Sequence, residues 1–156
     1  VEYGDLEELA TETLLKVRIP PEAHLSRVVR ERLVEFATAR GVGENDLTEF
    51  LTALGEALAN AIEHARSVVP IEIECHIDGG QIVATVTDGG VGFLRTPGAP
   101  TGPPDLTSER GRGMLIMRRC SHIFDVSSTP GRGTAVRVGR YLRSGSPDAA
   151  RLRATA

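Results

Sequence analysis

The hydrophobic period of the chain changes at Pro70, and that change restricts the fold more than any other feature. Upstream, Leu25, Val28, Val29, Leu33 and Phe36 recur at helical spacing after Pro20-Pro21. This predicts a helix starting near Glu22 and stopped by Gly41 and Gly43. Glu44-Asn45-Asp46 can cap a second helix over about 47–65, with an apolar stripe of Leu47, Phe50, Leu51, Leu54, Leu58, Ile62 and Ala65. Downstream, I-E-I-E-C-H-I (71–77) alternates strictly, as a half-buried strand does. Asp78-Gly79-Gly80 turns the chain into a hairpin partner over 81–87. A strand over 11–19 precedes the helices, and a short helix at about 114–120 with strands at roughly 123–128 and 134–142 follows them. Helices and antiparallel strands therefore separate in sequence. The pattern predicts an α+β two-layer sandwich whose mixed, mostly antiparallel sheet carries helices on one face. Residues 1–10 read as an N-terminal extension, 11–142 as one domain and 143–156 as a flexible tail or linker.

Bulk properties narrow the function classes. The net charge of −3 does not suggest nucleic acid or an anionic membrane as partner. Lys16 is the only lysine beside 17 arginines, so a P-loop with its obligatory lysine is absent. Cys75 and Cys120 show no disulfide-like or C-x-x-C spacing, and no apolar run nears the ~20 residues that span a bilayer. With an acidic N-terminus and no visible signal peptide, the expectation is a reduced, cytoplasmic setting. The chain begins at Val1 rather than Met, so a piece of a longer protein is one of the readings left open.

Asn60 is out of place in the helix-forming stretch G-E-A-L-A-N-A-I-E-H-A (55–65), because its amide competes with the backbone for hydrogen bonds. It shares a row with Glu56 and Glu63, turned away from the apolar stripe, and alanines at 53, 57, 59 and 61 leave room for something to approach. A solvated polar face is the plain alternative. The glycines weigh against that alternative. Eleven of the 17 fall between Gly79 and Gly133, seven of them bunched in D-G-G-V-G-F (88–93), G-R-G-M (111–114) and P-G-R-G-T (130–134). They bracket a Pro-rich loop of roughly twenty residues, a length uncommon in a compact domain unless functional or disordered. Gly111 and Gly113, opening a helix, can turn amides toward a phosphate chain. Asp88, at a strand end, can accept from a ligand amine.

E-x-x-x-N on a helix, then D-x-G-x-G, then G-x-G before a helix, then G-x-G-T, resembles the ATP-binding fold of DNA gyrase, heat-shock chaperone ATPases, histidine kinases and MutL. The likeness covers about residues 11–141. Among these the chain is most similar to bacterial anti-sigma factor serine/threonine kinases, which bind a sigma factor and phosphorylate an anti-anti-sigma (STAS-type) protein. The resemblance implies ATP and Mg²⁺ as cofactors and a homodimer. It assigns Glu56 as the catalytic base and Asn60 as the Mg²⁺ ligand. It gives Asp88 the adenine amino group with Thr134 nearby, and Gly90 and Gly92 room for the base. Residues 94–112 would be the ATP lid, with Arg110, Gly111, Arg112, Gly113 and Met114 at the phosphates. His64 reads as structural. Two other readings stay open: a nucleotide- or partner-binding module without chemistry, and the catalytic domain of a histidine kinase. A zinc site is disfavoured because Cys75 and His76 are strand neighbours pointing to opposite faces.

Overall fold

The computed structural model describes residues 6–64, 69–89, 109–129 and 133–143. Six strands and three helices follow in the order β1 (Glu7–Ala10), β2 (Leu14–Ile19), α1 (Leu25–Ala39), α2 (Glu44–His64), β3 (Ile71–Asp78), β4 (Gln81–Asp88), α3 (Glu109–Arg119), β5 (Ile123–Thr129) and β6 (Gly133–Tyr141). The strands form one sheet in the order β1-β2-β3-β4-β6-β5. Every described pairing is antiparallel, so no parallel pair of the expected mixed sheet occurs among the described residues. None of the described helices is long and apolar enough to cross a membrane.

Register explains the two layers. Val17 pairs with Ile73, Ile73 with Val86 and Val86 with Val136, so these side chains share one face, and all are buried. Arg18, Glu72 and Thr87 occupy the other face, where Arg18 lies 3.8 Å from Glu72. The helices cover the apolar face, and Phe50, Leu54 and Leu58 of α2 are buried there. Burial of side chains of this size contributes about 1.5–3 kcal/mol each, more than helix propensity can. At the β3–β4 turn, Gly79 (φ 60°) and Gly80 (φ 76°) both take the left-handed conformation that a two-residue hairpin requires.

Several boundaries differ from expectation for local reasons. Thr11–Thr13 form a turn rather than strand, because the Leu14 N–H donates to Thr11 Oγ1 (3.1 Å) and the Thr11 N–H to the Leu14 carbonyl (2.7 Å). That turn folds Glu7–Ala10, read as part of an extension, back on β2 as an edge strand. α1 starts at Leu25, after a turn in which the Leu25 N–H donates to the Glu22 carbonyl (3.0 Å). α2 starts at Glu44, where the Gly43 carbonyl accepts from the Leu47 N–H (2.9 Å). Asp46 is thus not a cap. Its carboxylate turns inward to Arg140, which occupies a core-facing position of β6 two residues after Val138.

Candidate functional site

Chain direction brings the candidate residues to one end of the sandwich. α2 ends at His64, a few residues before β3 starts; β4 returns antiparallel, so Asp88 ends beside that start. β6 begins there too, with Thr134 opposite Asp88. Gly89 lies so near Val69 that an added Cβ would overlap the valine side chain.

Glu56 and Asn60, one turn apart on α2, are both half-buried, whereas Glu63 is exposed. The difference is made by α3. A Cβ built on Gly113 would stand 3.0 Å from Glu56 Oε2 and 3.6 Å from Asn60 Nδ2. α3 therefore borders the polar row at Gly113. Ala53, Ala57 and Ala61, expected to flank an open approach, are instead buried in the core, and only Ala59 is exposed. The buried face of α2 is centred between its leucines and these alanines, which lets the neighbouring elements pack close.

α3 begins at Glu109, earlier than the expected start at about Met114. Gly111 and Gly113 lie inside the helix, and the Gly113 amide falls past the four N-terminal N–H groups that lack helical partners. A glycine costs about 1 kcal/mol in a helix interior relative to alanine. At Gly113 the contact with Glu56 supplies the reason for it. Arg112 is exposed, and Met114 packs half-buried against the core. Arg110 belongs to α3 by its backbone.

Asp88 is buried (7% exposed), and its Oδ1 accepts the Thr134 N–H at 3.4 Å. The Thr134 hydroxyl lies 3.1 Å from the Ser128 hydroxyl. Gly133, at φ 100°, lets β6 start here: a Cβ on it would collide with the Asp88 carbonyl oxygen. Gly90, Gly92, the Pro-rich part of the expected lid, and Ala65 lie outside the described residues. Nothing at the level of short motifs singled out Arg140 and Asp46. The two-residue alternation Val136, Val138, Arg140 was the available signal that this arginine points inward.

An antiparallel six-stranded sheet with three helices on one face, and a Glu/Asn pair on the central helix, define an ATPase-type α+β domain. The profile of the histidine kinase-like ATPase domain matches residues 19–140, and the chain belongs to that family. It is similar to the anti-sigma F factor of Thermoanaerobacter sp. strain X514, with 33% identity over 104 residues, 64% of this chain and 73% of that protein. It is also similar to the anti-sigma F factor of Caldanaerobacter subterraneus subsp. tengcongensis, with 28% identity over 134 residues, 83% of this chain and 94% of that one. The fold matches the solved RsbU and RsbW domains of a Mycobacterium tuberculosis protein with a TM-score of 0.62 at 20% identity. That match covers 81% of this chain and 32% of the solved one.

Proposed function

We propose that the chain is an anti-sigma factor and a Mg²⁺- and ATP-dependent protein serine/threonine kinase, which captures a sigma factor and phosphorylates a STAS-type anti-anti-sigma protein. The observation that carries the reading is the placement of Glu56 and Asn60 one turn apart on α2 against Gly113, at the end of the sandwich where Asp88 is held by the Thr134 amide. The names of the relatives, anti-sigma F factors, support the partner class. Expected assembly is a homodimer.

The residues present fit the cofactor. Asn60 offers a carbonyl oxygen, the ligand type a hard dication takes, and Asp88 offers a buried carboxylate to an exocyclic amine. When bound, Mg²⁺ neutralises charge on the phosphates, the main requirement of phosphoryl transfer beyond positioning. Glu56 orients the acceptor hydroxyl and takes its proton. Asn60 holds the cation, Asp88 and Thr134 hold the base, and the N-terminal turns of α3 face the phosphates with the positive end of the helix dipole. Gly90, Gly92, Arg110, Gly111 and Arg112 complete the reading as lid and phosphate contacts.

The test is calorimetric binding of ATP with and without Mg²⁺ to the wild type and to Asn60→Ala, followed by capture of a purified sigma factor and radiolabel transfer to a STAS-type protein. Mg²⁺-dependent binding lost in the variant, with transfer to serine or threonine, is the expected result. ATP binding without transfer would replace the kinase by a non-catalytic nucleotide module. Absence of binding by folded wild type would overturn the nucleotide reading.

A further inference from the structure

At the ends of α2 and α3 away from Gly113, Arg140 of β6 gathers groups from α2 and from the residue after α3. Its guanidinium is 3% exposed. Nε and NH2 both lie 3.4 Å from Asp46 Oδ1 in the first turn of α2. NH1 lies 2.6 Å from Glu49 Oε2, one turn further along α2, and donates to the Cys120 carbonyl at 2.9 Å. Cys120 is the residue that directly follows α3, and its own N–H still donates to the Ile116 carbonyl (3.0 Å). The other carboxylate oxygen of Asp46 accepts the Arg143 N–H at 2.9 Å.

The two helices run antiparallel. The start of α2 and the end of α3 meet at Arg140, and the second half of α2 meets the N-terminal turns of α3 at Gly113. Charge placement suits both helix ends at the Arg140 cluster: a carboxylate at the N-terminus of α2 and a guanidinium at the C-terminus of α3. The planar fork of arginine is what allows one side chain to serve two carboxylates and a carbonyl, and a lysine ammonium, compact and one bond shorter in reach, cannot repeat it.

We propose that Arg140 is a positioning residue for the nucleotide site, acting through α3. By tying the end of α3 to the first turns of α2, it sets how the two helices register, and hence where Gly113 meets Glu56 and Asn60. The spacing there is tight: a Cβ on Gly113 would lie 3.0 Å from Glu56 Oε2, so a displacement of α3 changes the room left beside that carboxylate. The consequence for nucleotide binding rests on the reading given under Proposed function; the pinning of α3 does not.

The deciding comparison is Arg140→Lys against Asp46→Asn. Lysine keeps a buried positive charge beside Asp46 but gives up the Cys120 carbonyl. Asparagine weakens the charge pair but leaves Arg140 NH1 on Glu49 and Cys120. Deuterium exchange of the 114–120 amides is read beside that of the β3–β4 hairpin, and Mg²⁺-ATP affinity is measured by calorimetry at a temperature where each variant is folded. In Arg140→Lys, exchange at the end of α3 is expected to rise at least tenfold with the hairpin unchanged, and ATP affinity to fall about tenfold. Asp46→Asn is expected to melt earlier yet stay within about threefold of wild type in both local exchange and affinity. Equal effects of the two variants, or a uniform rise of exchange across the sheet, would reduce the cluster to general stabilisation and overturn the proposal. If Arg140→Lys does not fold, the neutral pair Asp46→Asn/Arg140→Gln is read in its place, with the same outcomes. If the wild type binds no ATP, the nucleotide reading fails, and the exchange arm alone decides whether Arg140 pins α3.

Discussion

Gly113 of α3 faces Glu56 of α2 at a distance that leaves no room for a methyl group at full van der Waals separation: a Cβ there would lie 3.0 Å from Glu56 Oε2. Alanine gains about 1 kcal/mol of helix propensity at this position, and the carboxylate, at the end of a flexible side chain, can swing aside. Gly113→Ala is therefore expected to change stability by less than about 1 kcal/mol while displacing the Glu56 carboxylate proposed as the base. Urea unfolding and phosphotransfer rates measured together check this, with the rate falling far more than stability.

Glu56 and Asn60 share one helix flank but have different proposed tasks. Glu56→Gln is expected to leave Mg²⁺-ATP affinity within about threefold while phosphotransfer drops roughly 10²–10⁴-fold, the usual worth of a positioned base. Asn60→Ala is expected to lose the Mg²⁺-dependent part of binding itself. Calorimetry and single-turnover kinetics separate the two.

Gly133 combines φ 100° with a backbone neighbour in the path of any side chain, the Asp88 carbonyl. Unlike the Gly113 contact, this one cannot be relieved by a rotamer. Gly133→Ala is expected to destabilise by at least about 1–3 kcal/mol and to weaken ATP binding through Asp88. Denaturant titration with an ATP-binding assay on the folded fraction tests both parts.

Burial separates two ion pairs of similar length. Arg27–Glu31 (3.2 Å) lies on the exposed side of α1, and Arg140–Asp46 (3.4 Å) lies in the interior. Arg27→Ala should cost well under ~1 kcal/mol. Arg140→Met, which takes the buried guanidinium from Asp46 and leaves it the Arg143 N–H and, at 3.7 Å, the exposed Arg143 side chain, should cost about 3 kcal/mol. Urea midpoints of the two variants provide the comparison.

Cys75 is fully enclosed, and burial pushes its thiol up to about 12, against a smaller opposing pull from the Arg40 guanidinium. The folded state keeps the thiol neutral where the unfolded chain ionises it. Stability from this group is complete below about pH 8.5–9 and is lost as pH rises toward 12, at most about 1.4 kcal/mol per pH unit. A thiol reagent at pH 8 should modify the half-exposed Cys120 before Cys75, and Cys75 only on unfolding. Equal rates for the two thiols would contradict the buried assignment.

Most of the scaffold was legible because its signals are local. Strict alternation over 71–77 and the Gly79-Gly80 turn specify the β3–β4 hairpin with its faces, and Val28, Val29, Leu33 and Phe36 specify the buried side of α1. β1 was not legible: all four of its residues are exposed, so it carries no alternation, and it exists only because Thr11 turns the chain back onto β2. The candidate site was legible as residue types in order, Glu56, Asn60, Asp88 and Thr134, but not as an arrangement.

By itself, then, the sequence determined the periods, the turns, the helical and strand faces, and the set of polar groups that can serve a nucleotide. These depend on steric preferences and burial within a few residues. The tertiary structure alone decided that Ala53, Ala57 and Ala61 pack inward rather than border an opening. It alone set Gly113 of α3 on Glu56, turned Asp46 from a presumed cap into the partner of Arg140, and placed the end of α3 under that arginine. Each of those outcomes pairs residues tens of positions apart, and which pairs form depends on how whole elements fit together, a quantity no local window contains.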